Sequence, residues 1–301
     1  MELRHIHYFL TVAEEGSFTG AAEKLMMAQP PLSRQIKDLE EELGAELFVR
    51  RPRGCVLTEA GHRFYRYAVQ MDTIARKSAE DIREMNRGLS GTLYIGTVEG
   101  AAPRILSRWI GSFHKKYPLV EFHIQNGSSD DVVRDVHSGL CEVGMITAPY
   151  DAEGLNGFTV YEEPWIVMIP ADHPLASLPG DTVELKELAP YELIIPSRES
   201  RKREIEEWFA PFHIRPKVIC RIAHMLNAYE LTAHGLGIAI YPATAGFGDL
   251  KPRGEKVCIR TIVSPRVFAS YILVRSADRP LSLLPREFWD HAAEIGFDDT
   301  V

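Results

Sequence analysis

Gln29, Pro30, Ser33, Arg34 and Lys37 lie within one short stretch, off the apolar stripe formed by Leu32, Ile36, Leu39 and Leu43, with Pro31 beside them. Glutamine can pair with adenine, arginine with guanine, and a proline ring can touch a thymine methyl. Serine and lysine suit phosphate oxygens, which position a protein without reading sequence. A second basic set, Arg50, Arg51 and Arg53, follows in a turn with Pro52 and Gly54. At the tip of a hairpin Arg53 would enter a minor groove. The plainer reading of both sets is a solvated charged surface.

A different group falls in the second half. Thr97, Glu99, Gly100, Ala101, Ser128, Thr147, Ser197, Ser200, Arg201 and His224 each follow an expected strand. In open α/β sheets, ligands bind beyond the carboxyl ends of strands, against helix N-termini. Free N–H groups at 100–102 and 200–203 would favour an anion, and Ser197, Ser200 and Arg201 add hydroxyl donors and a fork for carboxylate. The expected ligand is a small organic acid or an amino-acid-like metabolite. Glu99 would repel an anion or hold an amino group. The plainer reading makes Ser197, Ser200 and His224 helix caps or surface residues. Part of the run Arg198, Arg201, Lys202, Arg203, interleaved with Glu199, Glu204, Glu206 and Glu207, is expected to be a solvated helix face.

Signatures of catalysis are missing from the sequence: it has no nucleophile elbow, P-loop, metal triad or GxGxxG. No enzyme activity, catalytic residue, cofactor or metal is expected. Cys55, Cys141, Cys220 and Cys258 are scattered, with no CxxC pair or zinc spacing. They are expected to be reduced thiols in a cytoplasmic protein.

The elements that must position these residues begin with Phe18, Ala21, Ala22 and Leu25, an apolar face one helix before the stripe above. Ser17 is placed to cap that helix. Pro30 and Pro31 are tolerated in a first turn, so the next helix is expected to start near Gln29. Leu47–Val49 and Val56–Leu57 read as short strands around the basic turn, and Thr58 caps a new helix. Two helices around a tight turn, followed by a basic hairpin, make a winged helix-turn-helix, whose second helix enters the major groove.

From Glu59 to Arg87 an apolar stripe runs through Phe64, Tyr67, Ala68, Met71, Ile74, Ala75, Ser78, Ile82 and Met85. A helix of about 40–45 Å follows at ~1.5 Å per residue. One apolar stripe needs a partner, either this chain's own second half or the linker of a second subunit; the latter is favoured. Residues 88–91 (Gly-Leu-Ser-Gly) end the helix as a hinge. Beyond it, strands and helices alternate in βαβ order. They are expected over Thr92–Val98, Ala102–Tyr117, Val120–Gln125, Asp130–Gly139 and Glu142–Thr147. A second series covers Trp165–Ile169, Leu193–Ile195, Arg201–Phe212, Lys217–Arg221, Met225–His234 and Gly237–Tyr241, then Phe268–Val274 and Leu281–Ile295.

With 301 residues the chain can hold two or three domains. It has no apolar run of membrane-spanning length, and neither a signal peptide nor a membrane partner is expected. The net charge of −8 opposes nucleic-acid binding only in sum. Residues 1–90 hold 13 basic and 14 acidic side chains, against 21 and 28 in the remainder. Segments 24–37 and 50–53 contain six basic residues and no acid. The charge of the docking surface decides, rather than the global sum.

The chain resembles the LysR-type transcriptional regulators. The resemblance rests on residues 3–9 (LRHIHYF), 12–18 (VAEEGSF), 21–25 (AAEKL), 29–36 (QPPLSRQI) with Leu39-Glu40, Leu43-Gly44 and Leu47-Phe48, and 57–61 (LTEAG). It runs the whole length but weakens after about Gly91. It implies a winged helix-turn-helix over 1–58, a linker dimerisation helix and hinge over 59–90, and an effector-binding domain over 91–301. That domain would be two α/β subdomains similar to periplasmic solute-binding proteins, about 91–161 with 268–301, and about 162–267. Crossover strands are expected near Tyr161–Trp165 and Pro265–Phe268.

The implied function is sequence-specific binding of promoter or operator DNA, controlled by a small-molecule effector. Assembly would be a homodimer through the linker and a homotetramer, with RNA polymerase as a possible partner. Many relatives place a hydroxyl residue near Gly100, where this chain has Glu99 beside glycine. Some peroxide sensors of the family carry a cysteine in the loop that here reads Ser197-Arg198-Glu199-Ser200-Arg201. A redox sensor and a DNA-binding regulator without ligand control are the alternatives. Effector, operator, target genes and the sign of regulation are not written in the sequence.

Overall fold

The structure is a computed structural model describing residues 1–51, 54–84, 89–243 and 256–297, with side chains except at Arg50, Lys77 and 80–84. Arg53, Met85 and Gly88, and the side chains of Arg50 and Ile82, therefore lie outside the described residues. The chain divides into two compact units, Met1–Gly88 and Leu89–Val301.

The first unit runs α1 (Leu3–Glu15), α2 (Phe18–Lys24), α3 (Gln29–Leu43), β1 (Phe48–Arg51), β2 (Gly54–Leu57) and α4 (Glu59–Glu84). Ser17 Oγ accepts the Gly20 N–H at 3.3 Å and so starts α2. Ala21 and Ala22 are buried where the short helices cross. Phe9, Leu32, Ile36, Leu39 and Leu47 form the centre of the core, each worth about 1.5–3 kcal/mol of burial. Leu43, expected on the same stripe, is 40% exposed. It is the last residue before the left-handed Gly44 that ends α3, so the stripe runs off the core there. Glu40 turns back to accept the Leu47 and Phe48 N–H groups, at 2.7 and 3.1 Å, fixing where β1 begins.

The hairpin pairs Phe48 with Leu57 and Arg51 with Gly54. Gly54 has φ +124°, and a side chain there would strike the Gly16 carbonyl. Cys55 N–H donates to that same carbonyl at 2.7 Å, so the wing is pinned to the corner between α1 and α2. Thr58 Oγ1 accepts the Gly61 N–H at 2.9 Å, capping α4 as expected. The 26 residues of α4 span about 39 Å. Its stripe is divided. Phe64 packs edge-on against Phe9 with ring centroids 4.8 Å apart, and Ala68 and Met71 join the same core. Tyr67 and Ile74 stay 57% and 44% exposed.

The second unit opens with β3 (Gly91–Thr97), α5 (Ala102–Lys116), β4 (Val120–Asn126), α6 (Ser129–Ser138) and β5 (Val143–Thr147). Then come β6 (Leu155–Pro170), β7 (Thr182–Glu184), β8 (Glu192–Pro196), α7 (Glu199–Phe209), β9 (Lys217–Ile222), α8 (Met225–Ala233) and β10 (Ile238–Pro242). It closes with β11 (Val257–Ser264), β12 (Phe268–Ser276) and α9 (Leu283–Ile295). The strand order β4-β3-β5-β12-β6-β10-β8-β9 carries one sheet across two lobes. β3 pairs in parallel with β4 and β5, and β8 in parallel with β9 and β10, so each lobe has its own βαβ core.

β6 belongs to both lobes. Its Leu155–Pro164 half pairs with β12, and its Trp165–Pro170 half with β10 and β11. The crossings therefore fall where expected, near 161–165 and just before Phe268. The first half of β6, together with β7 and β11, was not read from the sequence. Residues 155–164 are half-buried or exposed except for Glu163, without regular alternation and without the apolar run of a central strand. One lobe is packed around Trp109, Phe113 and Phe288, the other around Trp165, Ile205 and Phe209.

Candidate DNA interface and candidate ligand cleft

In the first unit, Ala28 precedes α3 and Gln29, Pro30 and Pro31 form its first turn. Pro30, Pro31, Arg34 and Lys37 are exposed, and Gln29 and Ser33 half-exposed. Gln29 Nε2 donates to Ser33 Oγ at 2.6 Å, one turn along the helix. That bond ties the glutamine side chain to the helix face that carries Ser33. Lys37 pairs loosely with Glu41 at 3.3 Å, with both side chains largely in water, so phosphate can displace the glutamate at little cost. Arg51 is exposed at the end of β1. The helix thus presents amide, hydroxyl and guanidinium groups on one face, with the pinned wing beside it.

In the second unit, the carboxyl ends of β3, β4, β5, β8, β9 and β10 surround a cavity of about 400 Å³. Among the expected residues, Glu99, Gly100, Ser128, Thr147, Ser197, Arg201 and His224 line it. Thr97, Ala101 and Ser200 do not, which corrects those three expectations. Thr97 is buried, its hydroxyl spent on the Val98 carbonyl at 3.1 Å. Ala101 is buried with its N–H on Tyr271 Oη at 3.0 Å. Ser200 Oγ is enclosed, without a partner among the described residues, one residue before Arg201.

Several lining groups are also committed elsewhere. Ser128 caps α6: its hydroxyl meets the Asp131 carboxylate at 2.6 Å and accepts the Asp131 N–H at 3.2 Å. That hydroxyl, more than Arg134, holds the Asp131 carboxyl below the usual carboxylate range. The Thr147 N–H donates to Ser129 Oγ at 3.0 Å. The expected free N–H groups at 100–102 are not all free either, because Ala101 serves Tyr271.

Residues that sequence reasoning passed over matter most here. Tyr271 Oη donates to buried Glu163 at 2.5 Å while accepting from Ala101. Burial, then Glu163, pushes the Tyr271 phenol well up, and burial likewise raises Tyr241. Trp165 is fully buried beneath the Arg201 guanidinium, whose carbon lies 5.0 Å from the indole centroid. Arg201 is only 4% exposed. Its Nη1 donates to Glu204 at 2.6 Å, and its Nη2 and the Trp165 Nε1 have no acceptor among the described residues. Burial lowers the Arg201 guanidinium, partly offset by Glu204.

Arg198, read as part of a solvated run, instead crosses from one lobe to the other. It donates to Asp130 Oδ1 from Nε at 3.0 Å and Nη2 at 2.7 Å, and to the carbonyls of Thr147 at 3.2 Å and Pro149 at 2.5 Å. Lys202 and Arg203 do lie on a solvated face near Glu199. Glu99 makes a second crossing: its carboxylate takes the Met225 N–H at 3.1 Å and His224 Nδ1 at 2.6 Å. His224 is thus a partner of Glu99 at the cavity edge as well as the N-cap position of α8. Among the described residues no group of His, Cys, Asp and Glu is placed to hold a metal ion.

A winged helix-turn-helix and a two-lobed α/β unit around a cleft are the parts of a DNA-binding regulator with an effector-binding domain. The comparisons agree: residues 3–62 match the bacterial regulatory helix-turn-helix protein, lysR family, and residues 86–295 match the LysR substrate binding domain. The chain belongs to the LysR family of transcriptional regulators. It is 31% identical to the HTH-type transcriptional regulator AlsR of Bacillus subtilis over 81% of this chain and 82% of that one. It is 30% identical to BenM of Acinetobacter baylyi over 81% of each. The crystal structure of CbnR, a LysR family regulator, superposes with a TM-score of 0.76 at 25% identity, covering 99% of this chain and 100% of that one. CbnR complexed with its target DNA gives 0.75, with 98% and 99% covered.

Proposed function

We propose that residues 1–58 read operator DNA through Gln29, Pro30, Pro31, Ser33 and Arg34. Lys37 and the wing arginines Arg50, Arg51 and Arg53 would supply backbone contacts. Residues 59–90 would link and dimerise, and 91–301 would sense a small organic acid that alters the geometry of the DNA-bound assembly. The observation that carries the ligand reading is Arg201, a buried cation on a cavity wall with one donor unserved. Tyr67 and Ile74, seven residues apart on the uncovered side of α4, support pairing with a second linker, and two dimers would make the tetramer. The role is regulatory rather than enzymatic, without a cofactor, and is exercised in the cytoplasm, where the operator is; RNA polymerase is the expected partner at a promoter.

A regulator without ligand control is the second reading. It is favoured by the two lobe crossings, which hold the cleft with the chain's own groups. Thermal shift against organic acids, amino acids and sugars, followed by operator binding with each hit, separates the two. A stabilising hit that changes operator affinity supports ligand control; hits that leave it unchanged overturn it.

A further inference from the structure

Three of the four helix N-termini at the cleft are already served by this chain's own groups: α6 is capped by Ser128, whose hydroxyl meets Asp131, while α7, which carries Arg201, has no side-chain cap. At α5, the Ala101 N–H meets Tyr271, which is backed by the Glu163 carboxylate. At α8, the Met225 N–H meets Glu99. A ligand acid placed at α5, α6 or α8 would compete with a resident carboxylate. The donors left over lie in the β6–α7 lobe: Arg201 Nη2 and Trp165 Nε1, both enclosed, both on cavity-lining residues and both without an acceptor among the described residues. Each unserved buried donor carries a desolvation penalty, larger for the charged one.

Charge narrows the ligand further. Arg198 is spent on Asp130, so Arg201 is the cation on the lining with donor capacity to spare. Glu99 and Asp131 border the same cavity, and both would repel a second acid. The rest of the wall is largely apolar and aromatic, including Val98, Ile222, Met225 and Tyr241. The cavity of about 400 Å³ falls in the range of small-molecule sites.

We propose that the cleft selects a monocarboxylic acid with an uncharged, apolar body, its carboxylate on Arg201 and the Trp165 indole N–H rather than on the N-terminus of α5, α6 or α8. This rests on the ligand-response reading above and makes Arg201, Trp165 and Glu99 the residues that set specificity.

The test uses the full chain, titration calorimetry and four probes on one skeleton: phenylacetate, phenylacetamide, 4-carboxyphenylacetate and phenylglycine. Phenylacetate should bind, and the amide and the dicarboxylate should each bind roughly tenfold or more weakly. Phenylglycine should do no better than phenylacetate. Arg201→Gln should erase the preference for acid over amide. Trp165→Phe, which keeps the ring under the guanidinium, should weaken the acid and leave the amide unchanged. Glu99→Gln should let the dicarboxylate bind. An amide equal to the acid, a tighter dicarboxylate or phenylglycine, a preference surviving both Arg201→Gln and Trp165→Phe, or no binding by any probe overturns the assignment. If another probe binds and shifts operator affinity, ligand control stands and only the monoacid assignment falls. If phenylacetate binds as described with operator affinity unchanged, the site stands and ligand control falls.

Discussion

Replacing Arg198 with alanine removes the side chain that joins the two lobes at the cleft, and its cost can be built from its partners. The Asp130 side chain is 65% exposed, so the ion pair is screened and worth about 0–1 kcal/mol. Pro149 is exposed, so its carbonyl rehydrates once the arginine is gone. The Thr147 carbonyl is more enclosed and keeps a bond from Ser129 at 3.1 Å. What remains is a pair of charged hydrogen bonds in exchange for water and the burial of a side chain only 10% exposed. The sum is about 2 kcal/mol, roughly a 30-fold change in the unfolding equilibrium. Asp130→Ala should cost well under half of that, and the double variant little more than Arg198→Ala alone. All four tryptophans, Trp109, Trp165, Trp208 and Trp289, lie beyond residue 88. Urea unfolding followed by tryptophan fluorescence therefore reports the two-lobed unit directly. If Asp130→Ala costs as much as Arg198→Ala, the carboxylate carries the contact and this accounting is wrong. If neither costs anything, the lobes are held by the shared strand β6 and by the Glu99 crossing rather than by Arg198.

In the DNA-binding unit, Arg34→Ala should lower operator affinity by about 1–3 kcal/mol and relax base preference, if the guanidinium reads guanine; unchanged selectivity in a competition assay with mutated operators would remove it from readout. Arg51→Ala should weaken binding evenly across sequences and lower the salt slope of log K by about 1, so an unaltered slope would leave that side chain idle. Ser128→Ala removes the α6 cap and should destabilise the second unit by about 0.5–2 kcal/mol at neutral pH. The folded Asp131 carboxyl titrates below its ordinary value of 3.8, so its contribution is present above that value and fades as pH falls through the lowered one. The difference between wild type and Ser128→Ala should accordingly narrow on acidification; a gap that widens would mean the hydroxyl acts other than through that carboxylate. Tyr271→Phe takes the acceptor from the buried Ala101 N–H and one hydrogen bond from Glu163, and should cost about 1–3 kcal/mol in the same fluorescence assay.

The DNA-binding unit was legible because its signals are local. Ser17, Pro30, Pro31 and Thr58 act on the turn they occupy, and the stripe of Leu32, Ile36 and Leu39 lies within one helix. The βαβ lobes were legible for the same reason, down to element ends within a few residues at α7, β9 and β10. β11 and the first half of β6 were not. A strand at a lobe crossing, with residues such as Glu162 and Glu163, carries neither the alternation of a half-buried strand nor the run of a buried one. Its identity as a strand comes from its neighbour β12, distant in sequence, whose Ser270 hydroxyl meets Glu162 at 2.6 Å.

The cleft was legible in position but not in chemistry. Knowing that ligands lie beyond strand ends picked out Glu99, Thr147, Ser197 and Arg201, yet gave each hydroxyl and N–H to the ligand by default. The chain spends several of these groups on itself: Ser128 on Asp131, Ser129 on Thr147, Ala101 on Tyr271, and the α8 terminus on Glu99. The Ser128–Asp131 capping box is readable from its spacing, but the other three bonds join residues 18 to 170 positions apart, and spacing along the chain holds no trace of them. Arg198 and Arg201 show the consequence. Three residues apart on or beside one helix, in the same run of alternating charge, they are indistinguishable in sequence. In the fold both border the cavity, but one ties the lobes together and the other keeps a buried donor without an acceptor among the described residues. On the proposed reading, ligand recognition depends on the donors that the fold leaves unserved, and internal pairing across the folded cleft decides which those are.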